Sequence, residues 1–379
     1  MGAGGEGFGR KSRLKEGTLS NPETLPDPRD ATGGLDDPVR AAATSADDVT
    51  LQATLLQALK AGDDAGICAA LGARPPVAAQ RVARQLSAAL DAGGEGVGLR
   101  FFAIPLVIVA GSRKPCTVQG VLPEVHVLRG LLEQHGAVGV TRNFGLGNAL
   151  VSAEALDSLS PSALWRATSD PSQRPPLDVL QPEPISVAGS REQVHLRFIT
   201  GAGITPEHLP SFLESASNIG TWGMAMTKEL ARQLAQPGLE ILPMPRPPQP
   251  LLTAAHAGRR AQLEAALSLF LGNTLRKFRM AVGDPEAVLS AHRLDSGAGD
   301  LRLSLSTPFD DSLFEGFVWP LHPQDEVTEV TQLLLSTLAE CRVTNVTVLP
   351  QVLPERLAGG AMFVAGRMLE GLEREPAKH

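Results

Sequence analysis

From Asp47 onward, apolar residues recur at helical spacing, with Leu51, Leu55 and Leu59 on one stripe, and predict a helix. A second short helix is expected from Asp63 to Leu71, closed by Gly72. A third follows Pro75-Pro76, with Ala79, Val82, Leu86 and Leu90 inward and Arg81, Arg84 and Gln85 outward. At Leu99 the period changes. Phe101, Phe102, Ile104, Val107, Ile108 and Val109 are apolar on both faces, as in a central strand, and Pro105 marks an irregularity or an edge. Then come a helix from Glu124 to His135 closed by Gly136, an apolar stretch at Val138–Val140, a turn at Gly145–Gly147, and short helices around Ala153–Leu156 and Pro161–Trp165.

A second block reads as a strand at Val194–Thr200, a glycine turn at Gly201–Gly203, a helix introduced by Thr205-Pro206-Glu207, and another helix from Trp222 to Leu234. A long helix is expected from about Leu251 to Met280. Beyond it Leu301, Leu303 and Leu305 alternate as a half-buried strand and Phe314–Trp319 reads as a second. Val327, Val330, Leu334 and Leu338 mark a helix, and Val343–Leu349 a further strand. The first block has a similar strand, helix, strand succession, which raises a diverged internal duplication. Glu355–Arg374 reads as a helix weakened by Gly359, Gly360, Gly366 and Gly371, one that needs docking to persist.

These elements predict an α+β (or α/β) fold with an N-terminal helical segment, mixed-sheet blocks with packed helices, and a C-terminal ββαβ unit. The expected divisions are a disordered tail (1–46), a small helical segment (47–94), a first α/β block (95–170), a Pro-rich linker (171–188), a second α/β block (189–242), a second Pro-rich linker (243–250), a long helix with the ββαβ unit (251–353), and a C-terminal helix and tail (354–379).

Composition narrows the function classes. The chain has 379 residues and a formal charge of −7, so binding of nucleic acid or anionic lipid requires a local basic patch. Three widely spaced cysteines make neither a disulfide scaffold nor a CxxC zinc site. The first residues lack a signal-peptide core, and the longest apolar run, Phe101 to Gly111, is too short to span a bilayer. A cytoplasmic protein without membrane insertion is the expectation. Tyrosine is absent, and no aromatic platform for single-stranded nucleic acid is visible.

Three groups of residues carry candidate chemistry. Residues 67–82 and the helix after them resemble a helix-turn-helix, which would bring Arg74, Gln80, Arg81 and Arg84 to phosphates and base edges; two packed helices in any bundle explain the same letters. A strand-to-helix turn with Gly201, Gly203 and Thr205 would offer amides to a phosphate, although it lacks the third glycine of a dinucleotide fingerprint. Asp310, Asp311 and His322, with Glu315, Asp325, Glu326 and Glu329 close in sequence, have the donor types for Mg²⁺ or Mn²⁺; a turn and a helix start account for them as well. Cys116 lies near Lys114 and Arg113, but no base is specified by spacing. No nucleophile elbow, HExxH or kinase pattern occurs. The reading that follows is a non-enzymatic accessory or regulatory protein working through protein–protein contacts with no cofactor; its partner is unspecified and a homo-oligomer is compatible. The alternatives are a DNA-binding regulator using residues 63–86, and a phosphate-binding or metal-assisted enzyme.

Overall fold

The computed structural model describes residues 46–72, 76–92, 98–138, 144–169, 176–205, 219–236, 238–242, 247–281, 285–295, 298–307 and 313–368. The expected N-terminal tail, the apolar stretch after Val138 and the helix after Thr205 lie outside these residues, as do Pro243–Arg246 and Pro171–Pro175. Among the described residues the fold is α+β, with two sheets joined by one long helix.

The chain opens with α1 (Ala46–Ala61), α2 (Asp64–Gly72) and α3 (Pro76–Ala92). Gly62, at φ +77°, closes α1, and the Asp63 carboxylate accepts the Gly66 amide at 2.8 Å to start α2. The first sheet holds β1 (Gly98–Val118), β2 (Phe144–Val151), β3 (Ile185–Thr205), β4 (Leu239–Ile241) and β5 (Gln249–Pro250) in the order β2-β3-β1-β4, with β5 also on β1. All its pairings are antiparallel. Helix α4 (Val125–Gln134) links β1 to β2, and α7 (Ile219–Gln233) precedes β4. Each helical connection therefore joins parallel strands with a third strand between them, the split β-α-β connectivity of ferredoxin-like sheets. The residues read as two α/β blocks share this one sheet, and the Pro-rich stretch between them is a connection within it.

Alternation along β1 builds two cores. Phe102, Ile104, Leu106 and Ile108 face Leu128 and Leu132 of α4 and Trp222, Met226 and Leu230 of α7. Phe101 and Ala103 face the opposite layer, made by α1, α3, α5 (Ala153–Asp157), α6 (Pro161–Ser169) and the start of α8 (Leu251–Ala281). Pro105 sits in the middle of β1, opposite Phe198, where β5 ends and β4 has not begun, so its missing amide leaves no ladder bond unmade. Gly201 and Gly203 are not in a turn. Both lie inside β3, opposite Phe102 and Arg100, and Gly145 and Gly147 lie inside β2. A methyl group at Gly201 would run into the Phe102 ring, so this glycine serves close packing rather than chain reversal.

The second sheet, β8-β7-β6-β9, comprises β6 (Glu286–Arg293), β7 (Gly299–Ser306), β8 (Phe314–Pro320) and β9 (Val346–Pro354). Helix α9 (Val327–Glu340) connects β8 to β9, which pairs parallel with β6. That parallel pair, absent from the first sheet, means the two units differ in connectivity and do not repeat one another. The inner face packs Leu301, Leu303 and Leu305 against α9 and the second half of α8. Helix α8, with 31 residues and a length of about 46 Å, thus serves two cores: Leu251, Ala254 and Ala255 in one, Leu267, Leu271, Leu275 and Phe278 in the other. The expected C-terminal helix is absent over residues 355–368, where the chain forms a strap with two short 3₁₀ turns. Gly359 and Gly360, both at φ +80°, are incompatible with helix there.

Two glycines of α8 predict opposite effects. At Gly258 an added methyl meets the buried Phe198 ring and Leu196, whereas at Gly272 nothing lies within 4 Å. Gly258→Ala is expected to destabilise by about 1–3 kcal/mol through overpacking, and Gly272→Ala to stabilise by about 0.5–1 kcal/mol through helix propensity. Urea unfolding of both variants checks the pair.

Candidate functional site

Two sequence candidates more than two hundred residues apart meet where the units join. The turn between β8 and α9 carries His322, Gln324, Asp325 and Glu326 back onto α3, α5 and the first third of α8. There the Asp325 carboxylate bonds the His256 Nε2 at 2.8 Å with one oxygen and accepts the His322 amide at 2.8 Å with the other. His322 Nδ1 accepts the Gln324 amide at 3.2 Å, which places the proton of the neutral ring on Nε2, 3.8 Å from Asp157 Oδ2. The two imidazoles lie 5.2 Å apart. Arg259 reaches Asp157 at 3.5 Å and Arg260 reaches Glu329 at 3.2 Å. Arg84 of α3 pairs with Glu326, and Gln324 donates to the Ser87 hydroxyl at 2.5 Å.

Burial, then the positive neighbours His256 and Arg259, push the His322 ring down to about 4, with Asp325 opposing. Burial also raises Asp157 despite Arg259. It pushes Asp325 up too, but the bonds from His256 and the His322 amide outweigh it and hold that carboxyl below its ordinary value. The result is a neutral His322 imidazole locked beside the Asp325 carboxylate, which is itself bonded to His256. These groups have acid–base character, yet their bonding atoms are directed at one another, and no serine or cysteine side chain is paired with His256 or His322 in the contacts described. Among the described residues no group of three His, Cys, Asp or Glu is placed to hold a metal ion. The arrangement clamps the two units together.

The remaining candidates separate. Arg74, Asp310 and Asp311 lie outside the described residues, and Gln80 lies in α3 with its side chain undescribed. Arg81 is half-buried. Val82 and Leu90 turn into the core and Arg84 and Ser87 into the junction, so the exposed positions of α3 over 81–92 are Gln85, Ala88, Ala89 and Ala92, with the half-buried Arg81 on the same side one turn before Gln85. A single half-buried cation over these residues is less charge than a recognition helix sets against phosphates. Gly201 lines a cavity of about 410 Å³ together with Gly145, Gly147, Thr200, Leu177 and Leu180, which brings the two glycine motifs together on adjacent strands. Gly203 does not line it, and among the described residues no charged side chain does. The amides of Gly201 and Gly203 belong to strand ladders, so the glycine turn of the expected anion site is absent among the described residues.

Sequence reasoning missed a groove between α1, α3 and α6. Leu55, Leu56, Leu59, Val82, Leu86, Ala89 and Trp165 line a volume of about 320 Å³, with Gln85 the polar side chain among them. Leu56 is 39% exposed, a large apolar side chain left at the rim. The signal was present as two apolar stripes slightly wider than one helix pair needs. No helix among the described residues is long and apolar enough to cross a membrane. No protein-family model matches the chain, and no curated protein or solved structure resembles it significantly.

Proposed function

We propose that this chain is a non-enzymatic accessory or regulatory protein of the cytoplasm that acts through protein–protein contact, receiving an amphipathic helix of its partner in the groove between α1, α3 and α6. The observation that carries this reading is the groove itself. Its walls are two helices presenting Leu55, Leu56 and Leu59 on one side and Val82, Gln85, Leu86 and Ala89 on the other. Residues at these i, i+3, i+4 and i+7 spacings form ridges into which a third helix sets its own apolar residues. At about 320 Å³ the groove is at the lower end of ligand-pocket volumes, sized for a few side chains. Among the described residues its walls carry no charged side chain, which favours a neutral apolar face. Trp165, which lines the groove, is the kind of residue that anchors interfaces.

Trp165 also supplies the assay, because Trp222 and Trp319 are fully buried elsewhere. Titration with a neutral amphipathic Leu/Ala helical peptide is expected to shift tryptophan emission saturably. Leu56→Asp, at a rim position, is expected to abolish the shift while circular dichroism and melting stay close to wild type. An unchanged emission, or a shift that survives Leu56→Asp, contradicts the proposal.

A further inference from the structure

The outer face of the second sheet carries a polar ladder that reads the main chain of the strap. Arg302, Ser304 and Ser306 are successive outward residues of β7, and all three are buried. Arg302 Nη1 donates to the Met362 carbonyl at 2.5 Å, the Ser304 hydroxyl donates to the Val364 carbonyl, and the Gly366 amide donates to the Ser306 hydroxyl at 3.2 Å. Every second residue of an extended segment is thus held by every second residue of the strand. Val364 fills the small apolar cluster with Val288, Leu349 and Leu353, and Phe363 lies over Gly316 with its ring centroid 6.1 Å from that of Phe314. This is recognition of an extended peptide through its backbone, with two side-chain anchors.

The strap reaches this face through one tight turn. Leu357 donates its amide to the Ala361 carbonyl at 2.9 Å, and Gly360 donates to the Leu357 carbonyl at 2.9 Å. Gly359 and Gly360 both stand at φ +80°, and an added methyl at either has nothing within 4 Å. The turn is therefore conformationally special without being packed.

We propose that this face is a docking groove for an extended segment, and that residues 361–368 of a second copy fill it by exchange, with Leu357–Ala361 opening as the hinge. The occupant follows from the ladder: a second copy's strap presents the same carbonyls, amide and anchors at the same spacing. Exchange of an identical element is a low-cost route to a dimer. The proposal is independent of the helix groove.

Gly359→Ala combined with Gly360→Ala in the full chain strains only the closed turn, since an extended hinge has negative φ. Each strained residue relieved is expected to lower the dimer dissociation constant about ten-fold, the equivalent of ~1.4 kcal/mol. Sedimentation across a wide concentration range should show a dimer, and adding Val364→Asp should return it to monomer. The wild-type chain, refolded at high concentration from two mass-labelled pools, should yield mixed dimers by native mass spectrometry. A glycine variant that stays monomeric, a dimer that survives Val364→Asp, or wild-type refolding that yields only monomer would each overturn the proposal.

Discussion

Replacing Arg302 with alanine is expected to lower the unfolding free energy by about 3–5 kcal/mol, the usual loss when one partner of a buried ion pair is removed. Arg302 is 1% exposed and Asp300 4%. The guanidinium Nε reaches both Asp300 oxygens, at 3.0 and 3.2 Å, and Nη2 reaches Oδ2 at 3.0 Å. Nη1 donates to the carbonyls of Glu355 at 2.7 Å and Met362 at 2.5 Å. Alanine leaves a buried carboxylate and two carbonyls of the strap without these donors. Chemical denaturation gives the loss, and limited proteolysis should show cleavage within residues 355–368 before the rest of the chain. A loss under about 1 kcal/mol would mean that the pair behaves as a solvent-screened surface bridge.

Acidification is expected to loosen the junction through His322. In the unfolded chain this imidazole takes a proton near pH 6.5, whereas in the fold it does so only near about 4. Between those values the unfolded state binds a proton that the folded state refuses, so stability falls as pH drops from 6.5 towards 4 and this contribution is level below that. A shift of this size corresponds to roughly 3 kcal/mol. The groups facing the ring are His256, Arg259, Asp325 and Asp157, and Asp325 is the one that opposes the shift. His195 and His292 are also lowered, first by burial, and act in the same direction. The test is therefore a difference: His322→Asn keeps an acceptor for the Gln324 amide, and its melting temperature should depend less on pH across this window than that of the wild type. Parallel curves would contradict the account.

Where one face of an element meets one core, the sequence revealed it. Val330, Leu334 and Leu338 recur on one side of α9, and Leu301, Leu303 and Leu305 alternate in β7. Legibility failed where a second layer covers the other face. Arg302 and Ser304 read as the wet side of a strand, and nothing local shows that an Ala- and Gly-rich strap folds over them. β6, with Ser290 and His292 among its apolar residues, was missed for the same reason. Glycines read as turns because chain reversal is their commonest use; at Gly201 the absent side chain instead admits the Phe102 ring from the neighbouring strand. Strand order is set by pairings distant in sequence, so two apparent blocks turned out to be one interleaved sheet.

The candidate site was legible only in its parts. Arg84 and His322 were each singled out for external chemistry, yet Arg84 pairs with Glu326, 242 residues away, and His322 lies between Asp157 and the Asp325–His256 pair. No local pattern encodes that convergence. The groove was hidden differently: Leu55, Leu59 and Val82 do enter the core as their periodicity predicts, and only the packing shows that Leu56, Leu86 and Trp165 leave a channel beside them.

The most direct test of the claim that this groove is the working surface is site-specific photo-crosslinking in cells, with the photoreactive residue at Gln85 in the groove and, as control, at the exposed Leu269 of α8. The account predicts a discrete adduct from Gln85 that disappears with Leu56→Asp, crosslinked peptides from the partner that are helical with apolar residues three and four apart, and no matching adduct from Leu269. The same adduct from both positions, or an adduct from Gln85 that persists with Leu56→Asp, would contradict it.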